Sequence, residues 1–252
     1  MQSHAGSYGW AGAFFAGRRV LVTGATSGIG AGIARGFLAA GADVVATGVT
    51  EAEVDAARAE DQLKAADLRQ LDVRDGAAVT ELVGRLAGLD AVVNCAGVIR
   101  RGDELDPEIF GAVVDINLTG SMRVCAAARP LLAQSGGAIV NMASMLSYFG
   151  GGLVPGYAAS KGGIVQMTKS LAIAYADDGI RVNAIAPGWI ETALTEPLRA
   201  DPARSAAILS RTAMKRWGRP EDLVGGVLFL CSPAAGFITG AVLPIDGGYS
   251  IT

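Results

Sequence analysis

Tyr157 and Lys161 stand four residues apart and could together make an acid/base pair. A free phenol has a pKa of ~10, so a tyrosine is a poor base near neutral pH unless its surroundings change that value. Residues i and i+4 share one face of a helix, and a cation at that place would lower the pKa of the phenol. Because ordinary solvated helices show the same spacing, its meaning depends on the rest of the sequence.

A glycine-rich turn near the start of the chain has the context of a nucleotide-binding site. The apolar run 20–22 opens into the segment 23–30, which contains Gly24, Gly28 and Gly30, and helix-forming residues follow as far as Ala40. In a strand-turn-helix unit, glycines let the backbone approach a pyrophosphate, whose charge faces free N–H groups at the helix N-terminus. The spacing here is G-x3-G-x-G, and such a turn by itself is weak evidence.

Three further polar residues complete an ordered set with these two patterns. Asn94 directly follows the apolar run 89–93 and opens the motif Asn-Cys-Ala-Gly, and Ser144 follows the strand-like run 138–142. Asn117 lies between them in the motif Asp-Ile-Asn-Leu. Together, these motifs resemble the short-chain dehydrogenase/reductase family in its single-domain form. The resemblance runs from about residue 17 to the C-terminus and includes Asp72-Val73, Pro187-Gly188 and Asp246-Gly247-Gly248.

The resemblance implies an enzyme that interconverts a secondary alcohol and a ketone by hydride transfer with NAD or NADP. It assigns the general acid/base to Tyr157 and a hydrogen bond with the substrate oxygen to Ser144. Lys161 would lower the pKa of Tyr157 and bind the nicotinamide ribose, and Asn117 would hold a water that connects Lys161 to solvent. The cofactor contacts that it implies are Gly24, Ser27, Gly28, Ile29, Gly30, Thr50, Asp72, Val73, Asn94, Ala96, Gly97, Tyr157, Lys161, Pro187, Gly188, Ile190 and Thr192.

The cofactor preference and one motif position depart from the common patterns of the family. Residues 48–50 and Ser27, where the family selects between the two cofactors, carry neither an acid nor a base. We expect NAD(H), because a 2′-phosphate without a cation would lack its main charge-assisted contacts. Cys95 replaces the second asparagine that is more common in the family, and a small buried side chain is acceptable there.

The substrate is indicated by two local patterns. The run Ile99-Arg100-Arg101 and the segment from Ser144 to Tyr157 resemble the 2-deoxygluconate 3-dehydrogenase and gluconate 5-dehydrogenase branch, which implies a sugar acid or polyol. Arg100 or Arg101 could bind a carboxylate bidentately, although the pair could equally be structural or solvated. We expect Ser144 and Tyr157 to contact the same substrate.

Two alternative functions remain open. The first is reduction of a 3-oxoacyl group on acyl carrier protein or CoA. Ile173 counts against a carrier protein, since reductases of that branch tend to carry an arginine there, whereas Arg129 leaves the matter open. The second is a non-catalytic dinucleotide-sensing protein, which the complete set of four catalytic positions disfavours.

Composition restricts the classes of protein that the chain can represent. It has 252 residues, of which 51% are hydrophobic and 18% charged, and a net charge of −3. This length fits one α/β domain, and the charge gives no basic surface for nucleic acid or an anionic membrane. His4 is the single histidine, so we expect no metal site, and no apolar run approaches the ~20 residues of a membrane span. Three cysteines within apolar stretches, Cys95, Cys125 and Cys231, indicate reduced thiols and a cytoplasmic location.

The elements that must position these residues alternate between strand-like and helix-like runs. Strands are predicted at 20–23, 43–47, 68–71, 91–94, 138–142, 181–184 and 242–245, and helices are predicted to begin at Asp106-Pro107 and Pro220. This alternation predicts a Rossmann-type, doubly wound, seven-stranded parallel sheet with helices on both faces. We expect residues 1–16 to form an N-terminal extension that packs on the surface or is disordered, 17–252 a single catalytic domain, and 190–217 a substrate lid. Small residues on the helices and the apolar last strand predict a homotetramer.

Overall fold

The sheet has the predicted architecture. The computed structural model describes residues 8–252. Its seven strands are β1 Arg19–Thr23, β2 Asp43–Gly48, β3 Asp67–Gln70, β4 Ala91–Asn94, β5 Ala138–Met142, β6 Arg181–Pro187 and β7 Val242–Ile245. They pair in parallel in the order β3-β2-β1-β4-β5-β6-β7, so the direction of winding reverses between β1 and β4. Ligands of doubly wound sheets bind beyond the carboxyl ends of strands near this reversal.

Helices cover both faces of the sheet. They are α1 Gly9–Phe15, α2 Gly28–Ala39, α3 Glu51–Arg58, α4 Gly76–Gly84, α5 Pro107–Val114, α6 Ser121–Ser135, α7 Pro155–Ala174, α8 Glu196–Arg199, α9 Pro202–Arg211 and α10 Pro220–Cys231. Side chains alternate along a strand, and β1 shows the consequence. Val20 and Val22 pack in the layer of α2 and α10, whereas Leu21 packs in the layer of α4, α6 and α7.

The predicted helix starts are present, and the bounds of four strands differ from the sequence prediction. Asp106 caps α5 by accepting hydrogen bonds from the N–H groups of Glu108 and Ile109, and α10 begins at Pro220. β1 begins one residue earlier than predicted, and β2 ends one residue later. β3 begins and ends one residue earlier than predicted. β6 continues to Pro187, three residues beyond its predicted end, because its parallel pairing with β7 extends to the pair Pro187 and Ile245.

The described part of the N-terminal extension joins the core. In α1, Ala11 and Phe15 are buried, and the Phe15 ring meets the Phe37 ring edge-on with 5.1 Å between centroids. The Tyr8 hydroxyl donates a hydrogen bond to the Glu221 carbonyl at 3.0 Å. This segment therefore packs on α2 and α10, while His4 lies outside the described residues.

The helical run 107–135 is long and apolar enough, by length and composition alone, to cross a membrane. It comprises α5, a π-helical turn over Asp115–Gly120, and α6. Val124, Ala128 and Leu132 of α6 are buried against the sheet. One face of the run therefore packs on the sheet of the described domain.

Candidate active site

The predicted site residues lie together at the carboxyl ends of the central strands of the sheet. Gly24 follows β1, Asn94 ends β4, Ser144 lies just beyond β5, and Gly188 follows β6. The N-terminal turn of α7 carries Tyr157 to the same edge, because α7 runs back along the sheet after the loop that follows β5. The carboxyl ends of parallel strands thus bring together residues that are far apart in the sequence.

Tyr157 is half-buried, and its surroundings shift the pKa of its phenol in both directions. Burial raises the pKa of Tyr157 above its ordinary value, and the negative charge of Glu104 acts in the same direction. A hydrogen bond with the Ser144 side chain acts in the opposite direction and lowers the pKa. Of these effects, burial changes the pKa of the phenol most. The net direction of the Tyr157 pKa is therefore upward, opposite to the lowering expected from the sequence.

Lys161 is a buried cation beside Tyr157. Its side chain is 4% exposed, and its Nζ lies 5.4 Å from the centroid of the Tyr157 ring. Nζ donates a hydrogen bond to the Met142 carbonyl at 2.7 Å, at the end of β5. Burial lowers the pKa of Lys161 to about 8, so most molecules still carry its charge at neutral pH. The sequence spacing correctly predicted two neighbouring side chains on α7. Burial, however, shifts the pKa of Tyr157 upward rather than downward.

Asn117 lies in the π-helical turn between α5 and α6, where both its amide oxygen and its amide nitrogen form hydrogen bonds with protein groups. Its Oδ1 accepts a hydrogen bond from the Val98 N–H at 2.8 Å, and its Nδ2 donates to the Val98 carbonyl and to Ser160 Oγ. A Cβ placed on Gly97 would lie 3.2 Å from Asn117 Oδ1 and 3.8 Å from Lys161 Nζ. Asn117 thus fixes the loop after β4 against α7, close to Lys161.

The glycine-rich turn fits the pyrophosphate of a dinucleotide. Gly24 has a φ of +60°, and a Cβ at this position would lie 2.7 Å from the Ala96 Cα. α2 begins at Gly28, and its N-cap residue Ser27 makes no side-chain capping bond. The first N–H groups of α2, including that of Ile29, therefore have no side-chain cap and can donate hydrogen bonds to an anion.

A cavity of about 410 Å³ lies against Ser144 and Tyr157. Its aromatic and apolar walls include Leu146, Phe149, Trp189, Leu194 and Tyr249. Two arginines, Arg101 and Arg211, line it, and no acidic residue of the described chain does. Arg101 of the predicted arginine pair is therefore at the cavity, whereas Arg100 is exposed outside its lining.

Arg211, at the end of α9, is a cavity residue that the sequence analysis missed. Its guanidinium carbon lies 4.5 Å from the centroid of the Tyr249 ring and 5.8 Å from that of Phe149. Its Nη1 donates a hydrogen bond to the Tyr249 hydroxyl at 3.3 Å. Within residues 8–252, no carboxylate forms a salt bridge with Arg211. In the sequence, Arg211 is only one of several cations in the predicted lid. The fold places it in the lining of the cavity that Tyr157 also lines.

Comparison with known families decides between the classes that such a site allows. The family model adh_short_C2, described as enoyl-(acyl carrier protein) reductase, matches residues 24–250. The chain belongs to the short-chain dehydrogenase/reductase family. This result confirms the resemblance that the sequence motifs indicated.

Relatives of this short-chain dehydrogenase/reductase match it over nearly its full length. The 2-dehydro-3-deoxy-D-gluconate 5-dehydrogenase of Escherichia coli (strain K12) is 40% identical over 242 residues, which cover 92% of this chain and 95% of that protein. The cis-4-hydroxycyclohexanecarboxylate dehydrogenase of Sinomonas cyclohexanicum is 41% identical over 249 residues, covering 94% and 98%. A crystal structure of a gluconate 5-dehydrogenase from Burkholderia cenocepacia J2315 in complex with NADP and tartrate has a TM-score of 0.88 and 35% identity, covering 95% of this chain and 97% of that one.

Several predicted cofactor positions of this short-chain dehydrogenase/reductase, near the ends of β2, β3 and β4, interact with other protein groups. The Asp72 carboxylate pairs with Arg74 at 2.6 Å, and the buried Val73 packs against α6 near Gly120. Thr50 caps α3, accepting a hydrogen bond from the Glu53 N–H. The Asn94 Nδ2 donates to Asn141 Oδ1 at 2.9 Å, while its buried Oδ1 has no partner within the described chain.

The remaining predicted positions follow β4 and β6. Ala96 lies against Gly24, and burial raises the pKa of its neighbour Cys95 to about 12, so that thiol stays neutral. The Pro187-Gly188 turn closes on Asp246, and Ile190 is buried against Gly218. The Thr192 methyl lies 3.5 Å from the place of a Cβ on Gly28, so the segment after β6 reaches the glycine-rich turn.

Proposed function

We propose that this protein is an NAD(P)-dependent dehydrogenase that interconverts a secondary alcohol bearing a carboxylate, foremost a sugar acid, and the corresponding ketone. The observation that carries the proposal is the cavity beside Tyr157 and Ser144, whose charged lining consists of two arginines. Such a lining favours an anionic substrate over a neutral one of the same shape. The names of both enzyme relatives and the tartrate of the related crystal structure also denote carboxylates.

The catalytic roles follow from the chemistry of the residues at the cavity. In oxidation, Tyr157 takes the hydroxyl proton while Ser144 holds the substrate oxygen by a hydrogen bond. In reduction, the phenol returns that proton to the ketone oxygen. A bound nicotinamide supplies or accepts the hydride. The ammonium of Lys161 stabilises the phenolate form of Tyr157, and Asn117 would help to connect Lys161 to solvent through a water.

The proposed cofactor is NAD(H) rather than NADP(H). The Glu53 carboxylate accepts hydrogen bonds from the Val49 N–H at 2.9 Å and the Thr50 N–H at 3.3 Å, directly after β2. The negative charge of the Glu53 carboxylate, held next to these N–H groups, would repel the 2′-phosphate of NADP(H). The next cations along the chain are Arg58, Lys64 and Arg69, and they pair with Asp55, Asp61 and Asp67 respectively.

Docking of an acyl carrier protein has less support. Ile173 is 80% exposed on α7, where reductases of that branch tend to carry an arginine for the acidic carrier. Arg129 is not a free alternative, because it pairs with Asp178 at 2.5 Å and stacks on the Tyr175 ring at 4.6 Å. A 3-oxoacyl group without a carrier protein is therefore the second candidate substrate.

The proposal includes a lid, an assembly state and a location. The segment 190–217 forms α8 and α9 and contributes Leu194, Thr195 and Arg211 to the cavity, so we assign it the role of a substrate lid. Exposed Ile173 on α7 and Leu243 on the edge strand β7 support a homotetramer built through these two surfaces. All three cysteines are free thiols, which supports a cytoplasmic location.

A substrate screen with charge variants tests the proposal. Aldonates and cyclic hydroxy acids are compared with the matching alditols and cyclic alcohols, using both cofactors. We expect the acids to have the higher kcat/KM. A desolvated arginine–carboxylate contact is worth about 1.5–3 kcal/mol, so Arg101→Gln or Arg211→Gln should raise KM for the best acid roughly 10- to 100-fold and leave the neutral substrate little affected.

Arg100→Gln is the matched control, because Arg100 is exposed outside the cavity lining. It removes the same charge from the adjacent position and should leave KM unchanged. The carboxylate assignment is wrong if the double variant Arg100→Ala/Arg101→Ala and the single variant Arg211→Gln both keep the wild-type kcat/KM on every acid. A 3-oxoacyl thioester or neutral ketone would then become the first choice.

A further inference from the structure

Glu104 is a buried carboxylate between the helix of Tyr157 and the loop after β4. It lies in a short 3₁₀ turn, Asp103–Leu105, and is 1% exposed. One carboxylate oxygen accepts a hydrogen bond from the Tyr157 N–H at 2.7 Å, and the other accepts one from the Arg100 N–H, also at 2.7 Å. Within the described chain, no basic side chain forms a salt bridge with Glu104.

The hydrogen bond to Tyr157 replaces a local helix cap. The N-cap residue of α7, Val154, has no side chain that could accept a hydrogen bond, and Pro155 lacks a backbone N–H. Glu104 reaches the third residue of the helix from a segment about fifty positions away in the sequence and satisfies its N–H group. A carboxylate at a helix N-terminus is also favoured by the helix dipole. The first turn of α7 is thereby held in place from outside the helix.

The second hydrogen bond ties the same carboxylate to the cavity. Arg100 immediately precedes Arg101, which lines the cavity with Tyr157. One side chain therefore sets the spacing between the proposed acid/base residue and the loop that carries a proposed carboxylate-binding residue. A buried charge without a cationic partner is costly, which makes Glu104 an unusual choice for a purely structural link.

The Tyr157 phenol responds to charge as well as to position. The charged and titratable groups around it are Glu104 from the 3₁₀ turn, Lys161 from its own helix, Cys95 beside Lys161, and Arg101, Arg211 and Tyr249 from the cavity walls. The turn and α5, which both pack on α7, add the exposed Asp103 and Glu108. Of the acidic groups in this set, Glu104 is the one buried against Tyr157.

We propose that Glu104 is a positioning residue for the reaction, because its two hydrogen bonds fix Tyr157 relative to the Arg101 loop. Its buried negative charge also opposes formation of the phenolate. This inference rests on the proposed role of Tyr157 as the general acid/base. Position and charge can be separated, because glutamine keeps the length of the side chain and aspartate keeps its charge. The aspartate side chain is one methylene shorter and cannot reach both N–H groups at their present distances.

The test measures kcat for alcohol oxidation as a function of pH in Glu104→Gln, Glu104→Asp and the control Asp103→Asn. Oxidation requires the deprotonated base, so kcat rises with pH through the pKa of Tyr157. In Glu104→Gln, we expect this rise to move to lower pH by on the order of 0.5 to 1 unit. In Glu104→Asp, the rise should stay in place while kcat falls roughly tenfold. Asp103→Asn removes an exposed charge from the same turn and should change neither quantity.

Melting temperature and NADH affinity, measured on the same variants, show whether each protein is folded. A Glu104→Gln enzyme that is folded and active, with the rise in kcat at its wild-type pH, would overturn the charge role. An aspartate variant with wild-type kcat would overturn the positioning role. Should Glu104→Gln not fold, the aspartate variant still decides the positioning role, and Glu104→Ala supplies the pH profile. Retained activity in Tyr157→Phe would instead reject the proposed function, so the two failures are distinguishable.

Discussion

Lys161 is expected to cost the folded protein stability, and its replacement by methionine should show this directly. The side chain is 4% exposed, and burial lowers its pKa from the ordinary 10.5 to about 8. Each pH unit of that difference is worth about 1.4 kcal/mol, so the buried ammonium costs the folded chain on the order of 3 kcal/mol near neutral pH. Lys161→Met removes this cost together with the hydrogen bond to the Met142 carbonyl, which is worth about 1 kcal/mol.

The pH dependence gives the prediction its sign. Below about pH 8, both the folded and the unfolded chain carry the charge, and the cost of burying it is complete. Between about pH 8 and 10.5, the folded chain has lost the proton while the unfolded chain keeps it, so the cost shrinks as pH rises. Above pH 10.5 both forms are neutral, and the cost is gone. Relative to wild type, Lys161→Met should thus be more stable by about 2 kcal/mol near pH 7 and less stable by about 1 kcal/mol near pH 10.5.

Urea unfolding at a fixed protein concentration, without added nucleotide, measures both differences. Lys169→Met is the control, because Lys169 is exposed on the same helix and its replacement should stay within about 0.5 kcal/mol of wild type. A Lys161→Met protein that is less stable than wild type near neutral pH would contradict the reasoning. So would a stability difference that does not change between the two pH values.

The remaining predictions concern the cofactor and the assembly. NADH should bind about tenfold more tightly than NADPH in a fluorescence titration. Val49→Arg or Glu53→Gln should reduce this ratio of the two Kd values. Glu51→Gln, on the exposed first turn of the same helix, is the control and should leave the ratio unchanged. A lower Kd for NADPH in the wild-type protein would overturn the assignment and point to Arg69 or Lys64 as a released cation. Sedimentation at micromolar concentration should show a tetramer that Ile173→Glu weakens, because this change places a charge on an exposed apolar position of α7. A wild-type protein that sediments only as a monomer would reject the tetramer.

The sequence predicted the sheet well for a physical reason. Strands buried on both faces appear as short apolar runs, and the bounds of β4, β5 and β7 agree with the prediction residue for residue. The predicted end of β6 was wrong because hydrogen bonding with β7, rather than the side-chain pattern, decides how far this strand extends. The π-helical turn around Asn117 leaves no comparable pattern, since it depends on hydrogen bonds with Val98 and Ser160.

The site was predictable where residues lie in motifs and unpredictable where folding alone brings them together. Tyr157, Lys161 and Ser144 came from spacing, but the raised pKa of Tyr157 follows from burial that the spacing does not contain. Arg211 and Glu104 carry no local pattern that connects them to Tyr157. Only the arrangement of α9 over the cavity and of the 3₁₀ turn against α7 gives them a role.

The central claim is that Tyr157 transfers the proton while a bound nicotinamide exchanges the hydride, and Tyr157→Phe tests it most directly. Turnover is followed by the absorbance of the reduced nicotinamide on the best substrate, and cofactor affinity by fluorescence titration. We predict that kcat falls by about 10²- to 10⁴-fold, as the loss of a general acid/base requires, while the Kd for NADH stays within about threefold of wild type. A folded Tyr157→Phe enzyme that keeps more than about a tenth of the wild-type kcat would contradict the account and place the base elsewhere.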